Sequence, residues 1–171
     1  MARFSVVSDR SCVWIEATSS IHPIHTRTEG LEGYLDIEAR GDGRIDLGVT
    51  PRARLSLPVD RLRSGNVLED RELKRRINAR RYTTIDGELS EMKAVGDDGL
   101  YRVRGEVTFR GVTQQHEDDM HFSFVDDDTI AMTGESTFDI RDYGMEPPRI
   151  LMLRVEPEVK VRVEIVAARN S

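Results

Sequence analysis

Hydrophobic and polar residues alternate along most of this chain, and the alternation sets its architecture. In "YRVRGEVTFR", Tyr101, Val103, Gly105, Val107 and Phe109 fall on one face, and Arg102, Arg104, Glu106, Thr108 and Arg110 on the other. "EVKVRVEIV" repeats the pattern, with Val159, Val161, Val163 and Ile165 set against Lys160, Arg162 and Glu164. "RARLSLPV" supplies Ala53, Leu55, Leu57 and Val59, and "MHFSF" supplies Met120, Phe122 and Phe124. "TIAMTGESTFDI" aligns Ile130, Met132, Gly134, Ser136, Phe138 and Ile140. "LEGYLDIEA" aligns Leu31, Gly33, Leu35, Ile37 and Ala39. "CVWIEA" gives Val13, Ile15 and Ala17, and "TIDGEL" opens an eighth run with Ile85, Gly87 and Leu89. A period of two means strands with one dry and one wet face. Such strands belong to antiparallel sheets, because buried parallel strands are apolar on both faces. The breaks "RGDGR", "VGDDG", "FRGVT" and "VDDD" carry turn residues. Eight half-buried strands with short connections fit a closed barrel or a sandwich.

One stretch departs from this period. "SGNVLEDRELKRRINARRY" places Leu68, Leu73 and Ile77 at helical spacing, with acids early and bases late, as the helix dipole favours. It predicts one short helix over about Val67 to Arg80, whose apolar side covers a barrel end. Residues 61–81 carry eight Lys and Arg against three Asp and Glu, a net of +5 in a chain of net charge −6. A solvated helix face explains such a cluster. So does contact with anionic head groups, which basic amphipathic helices favour. On the second reading Lys74, Arg75 and Arg76 face a membrane surface transiently.

Composition narrows the function classes. The chain has 171 residues, 38% of them hydrophobic, which suits one domain with a real core. Its acidic balance argues against nucleic-acid binding. Cys12 stands alone, so it forms no intramolecular disulfide or cysteine cluster, and it reads as a small buried hydrophobe. No segment approaches the ~18 consecutive apolar residues of a membrane span. The opening "MARFSVVSDRSCVWIEA" lacks the apolar run of a secretory signal, which predicts a cytoplasmic location.

The histidines promise no metal. Residues an odd number apart on a strand point to opposite faces, so His22 and His25 diverge, as do His116 and His121. Zinc needs three or four convergent ligands, and neither local pair is aligned to begin such a set. The hydroxyls and acids form no recognisable nucleophile–base signature.

Several stretches carry a resemblance. "LRSGNVLEDRELKRRINARRYTTIDGEL" resembles the segment of the YceI-like family in which a strand end runs into a short helix and then a Tyr-Pro-x-Ile strand start. Here Thr83 stands in place of the proline. "YRVRGEVTFRGVT" resembles that family's Tyr-x-Val-x-Gly-x-Leu-Thr-x-Arg-Gly-Val-Thr hairpin, with Val107 where leucine is usual. "FDIRDYGM" resembles its late Arg-Ser-Asp-Phe-Gly element, and "EPEVKVRVEIVA" fits its last strand. The set runs in order from about Val13 to Ala167, and the part including "SSIHPIH" fits least. The resemblance implies an all-β fold: an eight-stranded antiparallel, lipocalin-like extended barrel with one short helix inserted, here a single domain over residues 1–171. It also implies a polyisoprenoid-type lipid in the interior. Family members are often exported by a signal peptide, which this chain does not show.

The dry face sets the expected ligand. Its lining candidates are Leu35, Ile37, Leu55, Leu57, Val103, Gly105, Val107, Met120, Phe122, Phe124, Met132, Gly134, Phe138, Val161 and Val163. An eight-stranded barrel is just wide enough to pack solid or to hold one small ligand. Composition alone favours the filled core, and the resemblance reverses that preference. An apolar face suits a hydrocarbon chain such as a polyisoprenoid or quinone tail, whereas a sugar or nucleotide would need convergent polar groups. Gly33, Gly87, Gly105 and Gly134 fall on the same face, where they help the sheet curl shut and leave a slot. The expectation is therefore a lipid carrier or store, monomeric or homodimeric, with no catalytic residues, metal or other cofactor. Two rivals stand beside it. One is a small-barrel enzyme with His121 or Arg141 turned inward, and the other is a solid-core interaction protein.

Overall fold

A computed structural model describes residues 1–147, 149–150 and 153–169 of the chain. The strands are β1 (Ala2–Val6), β2 (Cys12–Ser19), β3 (Pro23–Thr28), β4 (Glu32–Ile37), β5 (Arg52–Pro58), β6 (Thr84–Ala94), β7 (Leu100–Phe109), β8 (Val112–Asp126), β9 (Thr129–Asp139), β10 (Arg149–Ile150) and β11 (Leu153–Arg169). Every pairing is antiparallel. The order round the wall is β4, β5, β6, β7, β8, β9, β11. β1 closes the ring by pairing with both β4 and β11. β1 and β2 follow the same edge of β11, interrupted by a 3₁₀ turn at Ser8–Arg10, and β3 and β4 continue beside them. The result is a closed eight-stranded antiparallel barrel, in keeping with the eight alternating runs of the sequence.

Alternation decides which side chains enter. Ile130, Met132, Ile165 and Ala167 are buried, while Thr133, Glu135, Arg162 and Glu164 between them are exposed. One barrel end is solid. Phe4 packs edge-on to Phe124, with centroids 6.1 Å apart, and Tyr101 packs edge-on to Phe122 at 5.3 Å. The Tyr101 hydroxyl accepts from the Ile45 backbone N–H at 3.2 Å, which fixes the 39–51 loop across this end. β1 itself, with Phe4 buried, is a strand that the alternating runs did not reveal.

Helix α1 (Val67–Ile77) lies at the other end. Asn66 caps its start, its side chain accepting from the Leu68 and Glu69 backbone N–H groups. It stops three residues short of the expected Arg80, because Asn78 adopts the left-handed conformation (φ 59°, ψ 58°) and ends the ladder. The buried side differs from the expectation too. Leu68 is 52% exposed, and the residues that turn inward are Glu69, Asp70, Leu73 and Ile77. Ser64 explains this. Its backbone N–H and hydroxyl both donate to the Asp70 carboxylate, at 2.8 and 2.6 Å, and pin the first turn acid-side down.

Candidate ligand-binding chambers

The helix and the solid end leave two cavities stacked in the barrel. The upper one, about 210 Å³, lies under the helix and is bounded by Leu73 and Ile77 of the lid and by Ile24, Val155, Phe109 and Ile140 of the wall. The middle one, about 280 Å³, is bounded by Leu35, Leu55, Val103, Met132 and Val163. Both touch Val13, Leu57, Ile85, Val107, Phe138 and Val161, so they meet across one band of the barrel. The walls are almost wholly aliphatic and aromatic, which is what a hydrocarbon chain needs and a sugar does not.

Thirteen of the fifteen lining candidates border these chambers: Leu35, Leu55, Leu57, Val103, Gly105, Val107, Met120, Phe122, Met132, Gly134, Phe138, Val161 and Val163. Ile37 and Phe124 do not. Both belong to the packed core of the solid end, Ile37 fully buried and Phe124 against Phe4. They lie on the right face but too far along the strand, and alternation reports face, not depth.

The inner glycines have different causes. A side chain at Gly105 would meet the Glu88 carbonyl oxygen at 2.6 Å, and one at Gly33, with φ +147°, would meet the Arg54 carbonyl. These two mark close approach of neighbouring strands. Gly134 faces the Met120 side chain at 2.9 Å. Gly87 has no atom within 4 Å of where a methyl group would stand, so it alone among them opens onto space.

Apart from Ser136, which the alternation places on the dry face, the polar residues of the chambers escaped the sequence reading. Glu69 and Asp70 sit under the lid. His116, Asp118 and Ser136 turn into the middle chamber, while Asp86, Glu88 and Glu106 border it from strand positions on the outer face. Tyr143 borders the upper one, and burial pushes its phenol above the usual range. His116 and Asp118 share the parity of Met120 on β8, which was the available signal. The polar run "VTQQHEDD" hid the fact that β8 begins at Val112. His116 stacks on Phe138 with centroids 4.1 Å apart, and its Nε2 lies 2.6 Å from Asp118 Oδ2.

The other singled-out residues lie elsewhere. His121 faces out, with Nε2 2.9 Å from the Asp98 carbonyl oxygen. Arg141 is exposed and grips Asp139, so neither residue turns inward as the enzymatic reading requires. His22 bonds locally to the Pro23 carbonyl, and His25 lies on the outer face of β3 opposite Glu16. Among the described residues no three His, Cys, Asp or Glu side chains gather to hold a metal. Cys12 is buried, and the Arg27 Nε–H donates to its sulfur at 3.1 Å. On the helix, Arg75 and Arg76 are exposed and both grip Glu72, at 2.7 and 3.0 Å, which holds its carboxyl below the usual range. Lys74 is partly buried beside them. No helix among the described residues is long and apolar enough to cross a membrane.

The model of the YceI-like domain matches residues 6–167. A polyisoprenoid binding domain from Saccharophagus degradans, implicated in plant cell wall breakdown, superposes with a TM-score of 0.80 at 15% identity, covering 99% of this chain and 100% of that one. Burkholderia cenocepacia BcnA gives 0.79 at 14% identity, covering 95% of this chain and 99% of that one. The Campylobacter jejuni YceI protein gives 0.69 at 12% identity, covering 89% and 88% respectively. Curated protein sequences give no match.

Proposed function

The chain belongs to the YceI-like domain family, and from that premise we propose that it binds a long apolar lipid of polyisoprenoid or isoprenoid-quinone type inside its barrel, as a carrier or store and without catalysis. The observation that carries this reading is the pair of adjoining apolar chambers between the solid end and the helix. A filled core would have closed that space, since protein interiors pack to the density of organic crystals. The Saccharophagus degradans neighbour is described as a polyisoprenoid binding domain, which supports the ligand class. The outward placement of His121 and Arg141 supports binding over chemistry.

Loading from a membrane belongs to the same proposal. Val67 and Leu68 leave apolar surface exposed at the start of the lid, and Ile21 does so in the β2–β3 turn. Arg71, Arg75 and Arg76 supply positive charge on the same helix. Native mass spectrometry of the purified protein with lipid extraction tests the central claim. A stoichiometric adduct of isoprenoid mass is expected. A protein that stays at its apo mass and takes up no prenyl lipid from vesicles would overturn the reading.

A further inference from the structure

The charged side chains that reach the chambers are all acidic. They are Glu69 and Asp70 under the lid and Asp118 in the middle chamber, while Asp86, Glu88 and Glu106 border the middle chamber from strand positions whose side chains alternate outward; among the described residues no Lys or Arg borders either space. A phosphate or carboxylate drawn into such a chamber would lose its hydration and gain only like charge. The basic residues of the helix do not offset this, because Arg75 and Arg76 face solvent and are held by Glu72.

His116 provides the opposite kind of partner. Its Nε2 lies against Asp118 Oδ2, and an ionised carboxylate only accepts, so Nε2 carries the proton. In the neutral ring Nδ1 is then a hydrogen-bond acceptor, and it makes no hydrogen bond among the described residues. Phe138 stacked on the ring fixes its plane. The wall is also open here. β8 pairs with β7 from Val112 to His121, but its ladder with β9 runs only from Asp126 to Met120, opposite Gly134. Beyond that point side chains bridge the strands, with His116 on Phe138 and the Gln114 amide donating to the Asp142 carbonyl at 2.9 Å. Ser136 borders the chamber along the same stretch. A polar notch thus interrupts an apolar wall where backbone hydrogen bonds do not seal it.

We propose that this notch receives the polar end of the lipid, and that it selects a neutral head group bearing an O–H donor, a prenol-type alcohol, over a phosphate or carboxylate. The proposal rests on the lipid-binding reading and narrows it. The ligand O–H donates to His116 Nδ1, Asp118 holds the ring in the tautomer that accepts, and the tail runs along the chambers.

The test is displacement of a fluorescent apolar probe from the full chain by three ligands with one tail: geranylgeraniol, its methyl ether and its diphosphate. The alcohol is expected to bind about three- to tenfold more tightly than the ether, the worth of one hydrogen bond, and more tightly than the diphosphate. His116→Leu should bring alcohol and ether level while leaving ether affinity unchanged. His116→Asn, which can place an acceptor oxygen near the same point, should restore part of the preference. Asp118→Asn, which frees the tautomer, should also reduce it, and this variant serves if His116→Leu does not fold. Equal affinity for alcohol and ether in the unaltered protein would overturn the subsite and leave the chamber reading standing, as would tighter binding of the diphosphate. If none of the three displaces the probe, the chamber reading fails and the subsite falls with it.

Discussion

Gly87 gives the sharpest test of whether the barrel is hollow. It lies in β6 between Leu55 of β5 and Val107 of β7, faces the middle chamber, and has no atom within 4 Å of a methyl group placed there. Its φ lies outside the left-handed region, so a side chain meets no backbone penalty. Gly87→Leu therefore puts four carbons into empty space. Burying a leucine side chain contributes roughly 1.5–3 kcal/mol, and replacing a strand glycine relieves roughly 0.5–1 kcal/mol of entropy cost. A net gain of about 2 kcal/mol corresponds to a rise in Tm of about 4–8 °C for a chain of this size. The same atoms displace ligand. Four methylenes at about 0.8 kcal/mol each amount to about 3 kcal/mol, or about a hundredfold loss of affinity for a lipid tail. Gly105→Leu is the control on the same face. Its new side chain would strike the Glu88 carbonyl oxygen at 2.6 Å, so it should lose about 1–3 kcal/mol through overpacking. Differential scanning calorimetry gives the stabilities, and titration with a fluorescent fatty probe gives the affinities. If Gly87→Leu destabilises the protein as Gly105→Leu does, the chamber is not there and the barrel is solid.

Other perturbations test the remaining parts. Asp70→Ala strips the Ser64 N–H and hydroxyl of their acceptor under the lid, so it should cost about 1–3 kcal/mol and speed probe exchange, followed by stopped-flow fluorescence; unchanged exchange would mean that the helix does not gate the chamber. Arg3 grips Asp36 with two hydrogen bonds of 2.8 Å and holds its carboxyl below the usual range, so the pair stabilises the fold above the ordinary aspartate pKa of about 3.9 and ceases to do so as pH falls through the lowered value. Arg3→Leu should therefore lower Tm at neutral pH and converge with the unaltered protein as pH falls through the lowered Asp36 pKa; a gap that persists once the carboxyl is protonated would show that the loss is one of packing. Reversing Arg75 and Arg76 to glutamate should abolish any preference for uptake from anionic over neutral vesicles, each cation being worth roughly 1 kcal/mol near such a surface and less in salt. Because both side chains are exposed, thermal stability should barely move, and uptake indifferent to vesicle charge would leave the helix as a lid alone.

Much of this architecture was legible because one face of each strand is dry. A period of two fixes which side chains point inward, and in this chain the inward set is apolar over most of its length. Depth is a different quantity. Ile37 and Phe124 obey the same alternation as Leu35 and Phe122 but sit where the barrel is packed shut. Nothing in local sequence records how far along the barrel a position falls. His116 and Asp118 were missed for the converse reason. Their polarity interrupts the pattern just where the strand passes the open stretch of wall, so the segment did not resemble a strand. The lid was misread in a third way. Leu68 stands five and nine residues from Leu73 and Ile77, which puts it on another side of the helix, whereas Glu69 at four and eight residues shares their face. Residue type favoured Leu68 where spacing favours Glu69, and the local bonds from Ser64 to Asp70 hold that rotation.

The interior and exterior of the barrel make opposite demands on charge, and together they narrow what the protein can carry. Outside, the lid helix presents arginines that would favour an anionic bilayer, in a chain whose overall charge of −6 would otherwise be repelled. Inside, the charged side chains that reach the chambers are, among the described residues, the carboxylates of Glu69, Asp70 and Asp118, so an anionic head group gains nothing by leaving that bilayer. A protein that transported the anionic lipids themselves would have its cations where the head group comes to rest. Here they lie on the outer surface, beside the exposed Val67 and Leu68. That division suits a neutral lipid drawn out of a charged surface: the membrane supplies attraction to the helix, and the cargo needs only an apolar wall and one acceptor. It also separates two measurements that are usually confounded. Vesicle charge should govern how fast the lipid is taken up, because surface attraction acts on encounter. Head-group chemistry at His116 should govern how tightly the lipid is held. Exchanging Arg75 and Arg76 should therefore alter the uptake rate without altering affinity, and His116→Leu should do the reverse. A variant of either class that moved both quantities together would place loading and holding at one site, and this arrangement of charge would need another explanation.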